Sequence, residues 1–137
     1  MKTKALTILS ALLFSVLSAS AITFDELAGV YIGKRTETYP TFVMRYDEVT
    51  VIESDGRVTN YVFFDELSEP FVTSGILVID EEGTFSVGEN GHGQLSLRGK
   101  HLSVTVQFSP LGSFSEVAVH FQGHRTEKGI HLPGFVQ

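Results

Sequence analysis

From Val30 onward, turn signals cut the chain into short segments whose apolar residues alternate, and none of these segments keeps a 3.6-residue period. Ser54-Asp55-Gly56-Arg57, Asp80-Glu81-Glu82-Gly83 and Gly99-Lys100 read as hairpin turns, because glycine tolerates positive φ there. Pro40 stops the first segment, an acidic loop spans residues 65–70, and Ser109-Pro110-Leu111-Gly112 turns again. The segments between read as strands over residues 30–39, 42–53, 58–64, 71–79, 84–87, 94–98, 101–108 and 113–126. Residues 88–93, with three glycines, read as a turn or mobile hairpin loop. Ahead of the strands, Thr23 caps one helical turn, Glu26 stands where a capping box needs it, and Gly29 ends it.

About eight strands joined by short connections pair antiparallel with their sequence neighbours, which is a meander. A meander keeps two bare edges unless it closes. The expected fold is therefore all-β: an up-and-down meander closing into a small barrel, with a short N-terminal helical turn. A two-sheet β-sandwich is the alternative.

The first 21 residues have the layout of a secretory signal peptide. Lys2 and Lys4 precede an apolar run from Ala5 to Leu17, and Ala19-Ser20-Ala21 is a small-x-small cleavage site. The run is about 13 residues, short of the roughly 20 a membrane span needs. Cleavage after Ala21 leaves residues 22–137 as one domain, periplasmic or secreted. With no cysteine, that domain folds on packing alone, and thiol catalysis and Cys-based metal sites are excluded. A lipid tether would need a cysteine just after the cleavage site, where Ile22 stands. Taking Lys2 and Lys4 from the ten basic residues leaves eight against sixteen acidic ones. That balance argues against nucleic acid and anionic membrane surfaces as partners. Arg35, Arg45, Asp47 and Glu48 interrupt the first two strands on both faces, which argues against a membrane-inserted barrel.

One internal repeat bears on closure. Tyr31-Ile32-Gly33-Lys34-Arg35-Thr36-Glu37 echoes Phe121-Gln122-Gly123-His124-Arg125-Thr126-Glu127. The copies fall in the first and last strands, which would be neighbours in a closed barrel. Arg of one copy is then expected to face Glu of the other.

At Leu27-Ala28-Gly29-Val30-Tyr31 the chain resembles the calycins, the lipocalins and their relatives. Those proteins open with a helical turn that closes one barrel end, followed by Gly-x-Trp; here Gly29 matches and Tyr31 replaces the Trp. The resemblance implies a basic residue of the last strand packed over that ring, Arg125 being the nearest candidate and Arg35 another. It also implies a cavity for a small apolar or amphipathic molecule.

Among the residues themselves, His101 and His120 are the candidate metal pair, on a register that turns the last hairpin around Pro110-Leu111. Two ligands are too few for a site, so no metal and no cofactor is expected. No Gly-x-Ser-x-Gly elbow is present, and the carboxylates of the turns read as solvated charges, so no catalytic residue is assigned. Aromatic residues are abundant, and alternate ones point inward in a barrel. Tyr31, Arg35, Arg45, Tyr61, Phe63 and Arg125 are the candidate ligand-binding residues, with polar side chains orienting a molecule among aromatic ones. The expected function is binding of a small apolar or amphipathic ligand inside the barrel. The alternatives are a non-enzymatic interaction or inhibitor protein acting through its outer surface and loops, and a calycin-like isomerase with a perturbed titratable group inside.

Overall fold

The computed structural model describes residues 21–127. Residues 1–20 of the expected signal peptide and the tail from Lys128 lie outside them. A short helix, α1 (Phe24–Leu27), leads into β1 (Gly29–Thr38), β2 (Val43–Ile52), β3 (Arg57–Phe63), β4 (Phe71–Ile76), β5 (Thr84–Val87), β6 (Gly91–Arg98), β7 (His101–Phe108) and β8 (Val117–Thr126). All eight strands join one antiparallel sheet in the order β4-β3-β2-β1-β8-β7-β6-β5. The sheet is curled through 242° into a half-barrel. The β1–β8 ladder brings the two ends of the meander together, and β4 and β5 are its edges. Among the described residues no helix is long and apolar enough to cross a membrane.

The two repeat copies do pair, but not as charge against charge. Gly33 lies opposite Gly123, so each Arg falls opposite the aromatic residue of the other copy: Arg125 opposite Tyr31, and Arg35 opposite Phe121. The expected Arg–Glu pairing across the copies is corrected accordingly. Arg35 reaches Glu37 on its own strand, and Glu127 is held by Lys100 at 2.6 Å. A Cβ on Gly33 would lie 1.8 Å from the Gln122 carbonyl oxygen and 2.5 Å from the Gly123 Cα. The backbones of β1 and β8 approach so closely here that only glycine fits.

The helical turn forms as its cap dictates. The Thr23 hydroxyl accepts from the Glu26 N–H at 3.3 Å, and the turn ends at Ala28 rather than Gly29. Gly29 begins β1, and Arg125 lies against it: a Cβ there would be 3.0 Å from Arg125 Nε. Leu27 and Tyr31 are fully buried, and with Ile52, Leu95, Leu102 and Phe121 they form the core that α1 covers at one end of the half-barrel.

Residues 88–93 are not a loop throughout: Gly91-His92-Gly93 belongs to β6. A Cβ on Gly93 would strike the Phe85 ring at 2.2 Å, and one on Gly91 would lie 2.8 Å from Phe108. These glycines give two aromatic rings room inside the sheet. The last strand starts at Val117, later than residue 113, because Leu111 and Phe114 bridge each other within the connection. The longer connection shifts the register, so His101 faces His124, while His120 faces Thr105. The His101–His120 pair is thus corrected to His101–His124, with ring nitrogens 3.4 Å apart on the surface. No group of three metal-ligating side chains occurs among the described residues.

Gly33→Ala is expected to lower unfolding free energy by about 3 kcal/mol or more, because the clash is with backbone. At Gly75 of β4 a Cβ meets nothing within 4 Å. Gly75→Ala is therefore expected to stay within about 0.5 kcal/mol of the parent protein. Urea denaturation of the two variants makes the comparison; similar losses at both sites contradict the close approach at Gly33.

Candidate functional site

Register carries the inside of the half-barrel from one strand to the next. Tyr31 is fully buried and pairs with Thr50, Gly33 pairs with Glu48, and Thr50 pairs with Asn60. Residues directly opposite share a face, so Glu48, Thr50 and Asn60 all point inward. Val104, Val106, Val119 and Phe121 close the other side. Between these walls lies a cavity of about 500 Å³, sitting on the core cluster that α1 covers.

Its charged side chains, Arg35 and Glu48, lie together. Arg35 donates from Nε to Glu37 Oε1 at 2.7 Å and from Nη1 to Glu48 Oε1 at 3.4 Å. Tyr39 Oη donates to the other Glu37 oxygen at 2.7 Å. Thr50 Oγ1 donates to Asn60 Oδ1 at 3.0 Å. One guanidinium thus serves two carboxylates. Glu48 is 3 % exposed. Burial pushes its carboxyl up to about 7, against the lowering effect of Arg35, and the nearby Glu37 charge adds to the rise. The Tyr39 hydroxyl is pushed up to about 12, chiefly because Glu37 accepts its hydrogen bond.

At the end opposite α1, a second hollow of about 320 Å³ shares Arg35, Phe108 and Val119 with the cavity. Aromatic rings gather at that end. Tyr39 stacks on Phe42 with ring centres 4.5 Å apart, Tyr46 meets Phe64 edge-on at 4.7 Å, and Phe64 meets Phe71 at 6.4 Å. The interior therefore has a covered end, an aromatic end and a charged group between them.

The sequence candidates divide. Arg35 lines the cavity. Tyr31 and Arg125 lie at the covered end and hold α1. Arg125 lies 5.3 Å over the Tyr31 ring, donates to the Tyr31 hydroxyl at 2.7 and 3.2 Å, and also donates to the Glu26 carbonyl. Tyr31 Oη in turn donates to the Leu27 carbonyl at 2.6 Å. Arg45, Tyr61 and Phe63 are not brought to the cavity. Arg45 is exposed on the outer face, and Tyr61 and Phe63 pack there with Val49 and Val51. The inward parity of β2 and β3 belongs to Glu48, Thr50 and Asn60, which sends the neighbouring apolar residues outward. Glu48 was missed because a glutamate next to Asp47 reads as solvated charge on a strand. Its signal is the register: it stands opposite Gly33, two residues from the buried Tyr31.

Compared with protein-family models and with curated protein sequences, the chain matches none.

The raised Glu48 group has a consequence for stability. Its acid form suits the fold, so the benefit is complete below the ordinary glutamate range and is lost as pH rises through about 7. Relative to the parent, Glu48→Gln is expected to gain on the order of 2 kcal/mol between pH 5 and pH 8. Urea denaturation at the two pH values checks this; parallel pH dependences in parent and variant contradict it.

Proposed function

We propose that this is an exported binding protein that holds a small apolar or amphipathic molecule inside its half-barrel. One observation carries the reading: a cavity of about 500 Å³, mostly apolar in its walls, with its charged side chains gathered in one cluster. Ligand pockets of roughly 300–1,000 Å³ have this composition, with few polar groups to set orientation. The Gly29-Val30-Tyr31 resemblance agrees with it, since α1 covers one end and Arg125 packs over Tyr31. This agreement is one of architecture, and architecture alone does not give function.

Two observations bear on the alternatives. On the outer face Ile32 and Val72, the cross-strand partners of Val49 and Tyr61, are exposed apolar side chains, which favours an interaction protein. Glu48 is the perturbed interior group that an isomerase needs. Acid–base chemistry also wants a second titratable group in a contrasting state. Among the described residues Arg35 is the only other ionisable one lining the cavity, and a guanidinium offers donors but no basic site. Binding is therefore the first reading.

The neutral fluorophore N-phenylnaphthylamine tests it. One equivalent is expected to bind with enhanced emission, and Val106→Trp, which fills the cavity, is expected to weaken binding at least about tenfold with circular dichroism unchanged. Equal binding by a folded Val106→Trp protein moves the apolar site to the outer face and supports the interaction reading.

A further inference from the structure

We propose that the cavity selects an amphipathic ligand with a cationic, hydrogen-donating head, a protonated amine on an apolar tail, and that Glu48 is its counter-charge. This rests on the cavity-binding reading above and names the ligand class. Glu37 is complete: Arg35 takes one oxygen and Tyr39 the other. Glu48 is not. Its sole hydrogen bond among the described residues is the 3.4 Å contact from Arg35 to Oε1, and its other oxygen has no donor. Glu48 is more than nine-tenths buried and lines the cavity wall.

Charge decides what this corner accepts. Above about pH 7, two carboxylates against one guanidinium leave one net negative charge in a poorly hydrated place. A ligand carboxylate adds like charge, and an uncharged head leaves the ion unpaired, both at a cost. An ammonium neutralises the group and brings three donors. Thr50, two residues along the same face, spends its proton on Asn60 and keeps its oxygen lone pairs as acceptors beside Glu48. The wall across the cavity, Val104, Val106, Val119 and Phe121, suits the tail. The charged groups acting on Glu48 are Arg35 and Glu37 from β1; its partner on β3 is Val62, and β8 offers Val119 and Phe121 across the cavity, none of which ionises.

Displacement of N-phenylnaphthylamine by decylamine, decanol and decanoate, each below its micelle-forming concentration, tests the proposal at pH 8. Decylamine is expected to bind at least about tenfold more tightly than decanol, a difference of about 1.4 kcal/mol, with decanoate the weakest. Glu48→Gln is expected to bring decylamine to the level of decanol. The parent protein gives a second readout without mutation. Protonation of a group near 7 competes with the amine, so its affinity is expected to fall about tenfold from pH 8 to pH 6, while that of decanol does not fall. Decanol or decanoate binding as well as the amine, or an amine preference that survives Glu48→Gln, overturns the cationic head and leaves cavity binding standing. If neither the fluorophore nor any of the three binds, cavity binding itself fails.

Discussion

The pairing of β1 with β8 is the joint on which the structure depends. It unites two four-stranded halves that are otherwise separate meanders. At its middle, Gly33 and Gly123 remove the side chains that would hold the backbones apart. At its end, Arg125 from β8 lies over Tyr31 from β1 and donates to both its hydroxyl and the Glu26 carbonyl. Tyr31 passes a hydrogen bond on to Leu27. The same ladder therefore joins the halves and holds α1 over the core. With no cysteine available, a chain that must hold its two ends together does so here with packing, glycine contact and one buried aromatic–arginine group.

That joint also decides what faces the interior. Once Tyr31 is inside, pairing places Thr50, Glu48 and Asn60 inside with it, and places Val49, Val51 and Tyr61 outside. The face with fewer apolar side chains thus becomes the inner wall over part of β2 and β3. The cost of burying Glu48 is met partly by Arg35, which Glu37 and Tyr39 hold in place. The cavity then has an apolar wall from β7 and β8 opposite a polar corner from β1 and β2. This division is the physical basis of the proposal of an oriented, amphipathic ligand.

Strand number, order along the chain and most boundaries were legible because alternation and turn residues are local signals. The repeat marked the right two strands as neighbours, and Arg125 over Tyr31 was legible by resemblance. What failed was register. The Arg–Glu pairing assumed copies aligned by charge, whereas Gly33 against Gly123 sets an antiparallel offset that swaps Arg with the aromatic residue. His101 met His124 because the connection after Phe108 is longer than a tight turn. Arg45, Tyr61 and Phe63 were placed by residue type, while the inner face of their strands follows from Tyr31, several pairings away. A strand with apolar residues on both faces carries no local sign of which one is inside.

Native mass spectrometry of the protein, purified without detergent from the source that makes it, tests the central claim most directly. The account predicts one bound molecule per chain, released on denaturation, with an apolar tail and a basic nitrogen. The mass of the bare chain alone, for a protein that also fails to take up an apolar fluorophore, would contradict it.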